Sequence, residues 1–492
     1  MGRLLNYFLA LLFAYTLLAC SDKSDKGPDI NPEPSEEIRK NRYVNKWILE
    51  NMELWYLWND KIPTNVNLTQ NPEDFYNSLL YKHGSVEGDR FSWIQENFVD
   101  LLNSLSGVVK EAGYDYIIGA YGQAGDLLGV VTYIKPDSPA ERAGLKRGNI
   151  FIEVNGKQLN RNNYEELLGK MSLNHTLGMA TVANNTIYPS ENISLSVVEY
   201  HENPVYLDTI YNIGGKKIAY LVYNFFSSDD GDGSYKYEKD LNNVFGNFKQ
   251  EGIDDLIVDL RYNGGGLVST AVHLASMIVE NLDVSKIFIK NQYNDIVSQY
   301  IINTSEESAD ALVDKFTDKI EIYNGGGRLE STIPINNINL PRVYIITSFR
   351  TASSSELIIN GLKPYIDVYL IGDNTVGKNL ASISIFENND SDNKWGMQPI
   401  ITKMLNSQNY GDYVDGFSPD IEIDEFEYIE GMKKLGDTDE VVLSKALQYI
   451  TTGSVPVSDM PKGIFSGTKK LSLKKYNKGM VLDSKLLSKI KK

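Results

Sequence analysis

Apolar residues recur at helical spacing in the first strongly patterned stretch of the chain. From Glu36 to Trp55 they fall every three or four positions, and a second such patch covers residues 72–81. This period is typical of amphipathic helices. The pattern predicts a small helical domain over residues 36–105, and we expect its tryptophans to lie in its core.

Between residues 107 and 200 the pattern changes to short apolar runs separated by turns. Leu127–Ile134 and Ile150–Val154 are apolar and rich in β-branched residues, which favours strands. Between them, Ser138-Pro139-Ala140 opens a short helix that stops near Gly144. Asn155-Gly156 then signals a tight hairpin turn.

This order of strand, short helix, strand and turn resembles a PDZ domain, although Asn149 stands where an aspartate is usual. The resemblance implies that an extended peptide adds to a sheet edge. It also implies that backbone amides around Ile118, Gly119 and Ala120 receive the C-terminal carboxylate of that peptide. The Gly-apolar-Gly loop that usually does this is not cleanly present.

Buried-type strands alternate with amphipathic helices over residues 205–430. The strands are expected at Ile218–Tyr223, Leu256–Leu260, Val343–Thr347 and Val368–Ile371. Such alternation predicts βαβ units and a largely parallel sheet. A short helix is expected over residues 305–316. The segment 431–492 is expected to hold one helix, at residues 439–449, and a lysine-rich tail.

Length, charge and cysteine content limit the classes of protein that this chain can represent. The 492 residues exceed one ordinary core, so several domains are expected. A formal net charge of −17 disfavours nucleic acid as a partner. The single cysteine, Cys20, allows no intrachain disulfide.

The position of Cys20 indicates export. Residues 1–19 carry Arg3 and then an apolar run that is too short for an ordinary membrane span but suits a signal peptide. Leu17–Cys20 resembles the lipobox of bacterial lipoproteins, which implies a lipid on Cys20. Residues 20–35 are polar and would form a tether. The expected location is the cell envelope, with the protein lipid-anchored at the outer membrane and facing either the periplasm or the surface.

Three polar stretches in the α/β region carry candidate chemistry. Residues 259–266 read DLRYNGGG at a strand end, where glycines expose backbone N–H groups that can hold an oxyanion. Residues 351–356 read TASSSE at a helix start, which favours negative charge. Residues 372–378 end in Lys378 within a glycine turn flanked by apolar segments. Burial would lower the pKa of that lysine, so that it could accept a proton from a serine near neutral pH.

Together these stretches closely resemble the C-terminal processing (tail-specific) peptidases. That family has a DLRxNxGG strand end, a serine three residues before a glutamate, and a lysine in a GK turn. The resemblance implies a multidomain α/β fold with a crotonase/ClpP-like core. It implies endopeptidase activity near polypeptide C-termini, with polypeptide as the partner and neither metal nor cofactor.

The resemblance also implies roles for individual residues. Ser353 is the nucleophile, and Lys378 is the general base. The N–H of Ser354 and one N–H from Gly265 or Gly266 form the oxyanion hole. Two further residues are candidates for the site. Glu356 either caps the helix or orients the lysine, and Ser382 stands where some relatives have a glutamine that completes a triad.

Two other functions remain open at this point. The same fold without the chemistry would be a catalytically silent protein that binds peptides or lipid ligands. A crotonase-type acyl-CoA enzyme would share only the core fold. The four histidines lie in no His-Asp-Ser or G-x-S-x-G context, which disfavours a histidine-dependent triad. The sequence leaves the oligomeric state and any gating by the PDZ domain open.

Overall fold

The structure is a computed structural model that describes residues 34–121, 125–183, 186–305, 310–454, 470–471 and 479–482. The predicted signal peptide, Cys20 and nearly all of the tether lie outside the described residues. Among the described helices, none combines the length and the apolar character needed to cross a membrane.

The N-terminal domain is mostly helical. Its elements are α1 (Glu36–Trp55), a 3₁₀ helix (Asn59–Lys61), α2 (Pro72–Leu79), β1 (Trp93–Gln95) and α3 (Phe98–Leu105). Side chains cap each α-helix: those of Ser35, Asn71 and Asn97 accept N–H groups from the first turns. The short strand β1 (Trp93–Gln95) was not predicted, and it belongs to a separate three-stranded sheet whose other two strands come from the third region of the chain.

The second domain is a small antiparallel β-structure. Its elements are β2 (Val108–Glu111), β3 (Tyr114–Tyr121), β4 (Asp126–Ile134), α4 (Pro139–Arg142), β5 (Ile150–Val154), β6 (Lys157–Gln158), α5 (Tyr164–Gly169), a 3₁₀ helix (Lys170–Ser172), β7 (His175–Ala183), β8 (Thr186–Leu195) and β9 (Val198–His201). Strands β3, β4, β5, β7 and β8 pair in that order, while β2 pairs with β9. Asn155 and Gly156 both have positive φ, as the predicted hairpin turn requires.

The third region is the α/β core. Its elements are β10 (Val205–Ile213), β11 (Lys216–Tyr223), α6 (Lys236–Glu251), β12 (Asp255–Asp259), β13 (Gly265–Leu267), α7 (Val268–Ile278), β14 (Ile287–Tyr293), α8 (Asp295–Thr304), β15 (Val313–Lys315), β16 (Lys319–Tyr323), β17 (Leu329–Pro334), β18 (Arg342–Thr347), α9 (Ser354–Leu362), β19 (Asp367–Gly372), β20 (Leu380–Ser382), β21 (Ile385–Phe386), β22 (Gly396–Gln398), β23 (Ile400–Asn406) and β24 (Ile421–Glu422).

After the core come a 3₁₀ helix (Glu425–Gly431), α10 (Val441–Thr452) and two tail strands, β25 (Lys470–Leu471) and β26 (Gly479–Val481). The sequence predicted α10 but gave the tail no role in a sheet. In the structure β25 pairs with β3 of the second domain, and β26 lies between β13 and β20 of the core. The prediction that this segment is only a helix and a tail is therefore corrected.

Two six-stranded sheets form the core. The first has the order β10-β11-β12-β18-β19-β24 and is parallel except for the β10–β11 hairpin. The second has the order β13-β26-β20-β23-β14-β15 and is mixed. A largely parallel sheet was predicted, and the second, mixed sheet was not. Strand β1 pairs with β22, which docks the N-terminal domain on the core.

The expected helix over residues 305–316 is wrong for Ser305 and residues 310–316, the part of that range that the structure describes. The helix of this region is α8, which ends at Thr304, and Val313–Lys315 form a strand. Helix α8 begins early because the Asn294 side chain accepts the N–H of Val297 at 2.9 Å. The multidomain α/β fold class is confirmed, with a mostly helical N-terminal domain, an antiparallel β-domain and an α/β core.

Candidate active site

Ser353 lies in the turn that follows strand β18 and immediately precedes helix α9. The residue is fully buried, and its backbone has φ of 66° and ψ of −117°. A non-glycine residue in such a conformation costs about 1–3 kcal/mol and persists only where its surroundings enforce it. Within the described residues, the Oγ of Ser353 has no hydrogen-bond partner.

Glu356 ties the serine turn to the lysine turn. Its Oε2 accepts the backbone N–H groups of Ser353 and Lys378, each at 2.8 Å. Its Oε1 accepts the N–H of Gly377 and the hydroxyl of Thr375, each at 2.6 Å. The backbone nitrogens of Ser353 and Lys378 are thus no further apart than twice 2.8 Å. Burial raises the pKa of Glu356 above its ordinary value, while these hydrogen bonds oppose that rise.

Lys378 is buried, with 4% of its surface exposed. Burial lowers the pKa of its amine from 10.5 to about 8, although the carboxylates of Asp89 and Glu356 partly oppose the shift. The Nζ lies 4.9 Å from the centroid of the Phe91 ring, a distance at which an aromatic face attracts an ammonium group. A lysine with this pKa is partly neutral near physiological pH and can act as a base.

The sequence reasoning missed the N-terminal segment that covers this lysine. Arg90 donates to the carbonyl oxygens of Gly377 at 3.0 Å and Val414 at 3.1 Å, which fixes the lysine turn. Asp89 is buried, and its Oδ1 accepts the N–H groups of Phe91 and Ser92. No local pattern in residues 89–92 signals a role in a site that the chain forms almost three hundred residues later.

The glycines at the start of β13 approach the serine closely. A Cβ on Gly265 would lie 2.7 Å from the Cβ of Ser353 and 3.1 Å from the backbone nitrogen of Ser354. Both Gly265 and Gly266 have positive φ, of 106° and 142°. The N–H of Gly265 already donates to Asn263 Oδ1 at 2.8 Å. Of the two glycines, Gly266 therefore has the N–H that is not used within the turn.

Other residues singled out by sequence are less closely associated with the serine. Ser382 lies in β20, and its hydroxyl donates to the carbonyl of Met480 at 3.0 Å, so this bond does not serve the lysine. Ile118, Gly119 and Ala120 lie within strand β3 rather than in a loop. One side of that stretch pairs with β4, and at Ile118 and Gly119 the other pairs with the tail strand β25.

Arg261, of the DLR motif, is the centre of a buried charge network. It donates to Asp259 at 2.7 Å, to Glu425 at 2.8 Å and to Glu440 at 2.9 Å. Arg147 of the second domain reaches the same two glutamates, at 2.6 Å and 3.3 Å. The network thus joins the second domain, the strand end next to the glycines, and helix α10.

A second polar link runs from the turn that holds Ser353 to the second domain. Arg350, three residues before Ser353, donates to the carboxylate of Asp115 at 3.1 Å and also to the carbonyl of Tyr116. Both partners lie in β3. The strand whose edge carries Lys470–Leu471 is therefore in direct contact with the turn that holds the serine.

A cavity of about 590 Å³ opens where the three regions meet. Its lining includes Phe91 from the N-terminal domain, Tyr114 and Lys135 from the second domain, and Gly264 from the glycine-rich strand end. The cavity has a volume typical of ligand clefts and reaches the strand end at Gly264, but neither Ser353 nor Lys378 is among its lining residues.

This arrangement defines an α/β protein in which a helical N-terminal domain and a PDZ-type domain frame a core with a buried serine, a buried lysine and a glycine-rich strand end. Family models agree with that class. The model of peptidase family S41 matches residues 217–423, the S41 N-terminal domain matches residues 43–93, and a PDZ domain matches residues 130–175. The chain belongs to peptidase family S41, the family of the C-terminal processing peptidases.

Individual relatives are distant. A chloroplastic C-terminal processing peptidase of Tetradesmus obliquus is 22% identical over 332 residues, which cover 65% of this chain and 61% of that protein. A carboxyl-terminal-processing protease of Picosynechococcus is 23% identical over 266 residues, which cover 53% of each chain. The chain thus spans little more than half the length of these relatives. A crystal structure from Bacteroides fragilis, assigned to the S41 proteases, is 25% identical with a TM-score of 0.65, and it covers 83% of this chain and 97% of that chain.

Proposed function

We propose that this protein is a serine endopeptidase that cleaves exported polypeptides near their C-termini, with Ser353 as nucleophile and Lys378 as general base. The observation that carries the proposal is the buried amine of Lys378, with a pKa of about 8, on a turn bound to the same carboxylate oxygen as the backbone of Ser353. Membership of family S41 supports the peptidase class.

The reaction follows from the groups at the site. Neutral Lys378 takes the proton of Ser353 Oγ as that oxygen bonds to the scissile carbonyl carbon. The N–H groups of Ser354 and Gly266 stabilise the resulting oxyanion. The C–N bond then breaks, and the ammonium of Lys378 gives its proton to the leaving amine. Water attacks the acyl-enzyme, again through Lys378, which releases the carboxylic acid and restores the serine.

Glu356 acts in this scheme as a positioning residue. It holds the backbone of both turns through four hydrogen bonds and does not touch the reacting atoms. Ser382 has no assigned step, because its hydroxyl is bonded to Met480. The PDZ-type domain would capture extended peptides at the edge of β3.

A test compares wild type with Ser353→Ala and Lys378→Ala on an unstructured fluorogenic peptide. We expect each variant to lose at least about 10³-fold in kcat. Lys363→Ala is the matched control, because Lys363 is a second lysine with a pKa lowered by burial, located at the far end of α9. If wild type shows no cleavage beyond that of the two variants, the protein is a binding protein on the same fold.

We further propose that the protein is anchored in the cell envelope by a lipid on Cys20. The support is the lipobox-like sequence Leu17–Cys20 after an apolar run. Metabolic labelling with a radioactive fatty acid should mark wild type and leave Cys20→Ser unlabelled. An unlabelled wild type that fractionates as a soluble protein would contradict the anchor.

A further inference from the structure

The tail strand β26 lies between the two parts of the chain that form the candidate active site. On one side it pairs in parallel with β13, with Gly479 opposite Gly265 and Met480 opposite Gly266. On the other side it pairs in parallel with β20, which begins two residues after Lys378. A segment of this chain therefore runs, as an extended strand, through the groove between the oxyanion glycines and the lysine.

The hydrogen bonds already present in β13 define how the tail strand binds. The N–H of Gly265 donates to Asn263, and the N–H of Leu267 donates to the Phe226 carbonyl at 2.9 Å. Pairing to the tail must therefore use the N–H of Gly266. In a parallel ladder, the N–H of Gly266 faces the carbonyl of the residue that precedes its opposite residue, Met480. That preceding residue is Gly479. The Gly479 carbonyl thus faces the N–H that the proposed mechanism assigns to the oxyanion.

Gly479 also lies against the base. A Cβ on this glycine would be 2.2 Å from the Nζ of Lys378, and the φ of Gly479 is 74°. No larger residue would fit this position without displacing the buried amine. The main chain of the tail therefore passes at close range over the group that would accept the serine proton.

The next tail residues are anchored firmly. Met480 is fully buried within the main core cluster, and Val481 is buried beside it. The Met480 carbonyl accepts the hydroxyl of Ser382 at 3.0 Å, and the N–H of Leu482 donates to the Ser382 carbonyl at 2.9 Å. The tail strand is thus held by main-chain bonds, which are the bonds by which an extended peptide adds to a strand edge, and by the burial of two consecutive side chains.

The same tail also contacts the peptide-binding edge of the PDZ-type domain. Lys470–Leu471 pair antiparallel with Gly119 and Ile118 of β3. Two separate sites for extended polypeptide, one on the PDZ-type domain and one in the core, are thus filled by one covalently attached segment.

We propose that residues 479–482 are an intramolecular occupant of the polypeptide-binding groove, which holds the enzyme inhibited until the tail leaves. The inhibitory consequence rests on the proposed peptidase function, but the occupancy does not. A tethered strand competes at an effective concentration of about a millimolar. A polypeptide substrate must therefore outcompete the tail for the groove or first displace it.

The test uses two truncations of the full chain. The first ends at Lys478 and lacks the tail strand, and the second ends at Leu482 and retains it. We expect the first to cleave an unstructured peptide about tenfold faster than wild type and the second to match wild type. Gly479→Val, at full length, should activate in the same direction, because its Cβ would clash with the Lys378 amine and a φ of 74° is strained for any residue with a side chain.

Binding separates this proposal from the peptidase function. In a Ser353→Ala background, a fluorescent peptide with the sequence of residues 476–485 should bind the chain that ends at Lys478 at least about tenfold more tightly than the chain that ends at Leu482. That difference would support occupancy even if no variant cleaved a peptide. Equal binding to both chains, or unfolding of both the truncated chain and Gly479→Val, would overturn it and make β26 a permanent strand of the core.

Discussion

The pH dependence of serine reactivity tests the role of Lys378 most directly. With a pKa of about 8, about a tenth of the amine is neutral at pH 7 and about half at pH 8. The rate at which a fluorophosphonate probe labels Ser353 should therefore rise about tenfold from pH 6 to pH 7 and level off above pH 8. The assay measures the second-order rate constant of labelling by gel fluorescence.

Removing the Asp89 charge should move this profile in a defined direction. The carboxylate of Asp89 raises the pKa of Lys378, so Asp89→Asn should lower it. An asparagine oxygen can still accept the N–H groups of Phe91 and Ser92, which preserves the turn. If the pKa fell by one unit, the neutral fraction at pH 7 would rise about fivefold, and labelling would accelerate accordingly.

The matched control is Glu96→Gln, which removes an exposed carboxylate close by in sequence. It should leave the profile unchanged, since exposed charges are screened by water and salt. An acid limb near pH 6.5 would indicate a histidine base instead. A profile that moves to higher pH in Asp89→Asn would contradict the electrostatic reasoning.

Three further predictions concern stability and geometry. Folding lowers the pKa of Lys378, so the unfolded chain binds more protons than the folded chain between pH 8 and 10.5. Lys378→Met should therefore raise the free energy of unfolding at pH 7 by about 2–3 kcal/mol, as measured by urea titration. This gain in stability should vanish above pH 10.5. Glu356→Gln should lower kcat by about 10²-fold with little change in KM and cost about 2–4 kcal/mol, because an amide cannot accept all four donors. Gly266→Ala should lower the free energy of unfolding by more than about 3 kcal/mol in thermal denaturation, since its Cβ would lie 2.0 Å from the Phe226 carbonyl oxygen. The control Gly325→Ala, with open space around the new Cβ, should lower it by less than about 0.5 kcal/mol.

The sequence was sufficient for features that depend on short segments. Helical spacing predicted α1, and the Asn155-Gly156 dipeptide predicted a hairpin turn whose two φ angles are positive. The DLR and TASSSE stretches and the GK turn pointed to one family, and that membership is confirmed. These signals are local, because periodicity, turn chemistry and motif spacing are all properties of neighbouring residues.

The family, the order of the domains and the residues from which a site could be built are readable in the amino-acid sequence. Three features become visible only in the folded chain: Glu356 binds both turns, Asp89 and Phe91 lie near the lysine, and Gly479 passes over it. The physical reason is that burial and proximity arise from segments distant in the chain. The pKa of a lysine falls, and a tail strand comes to lie against it, only where strands and turns from distant parts of the chain exclude water from the same space.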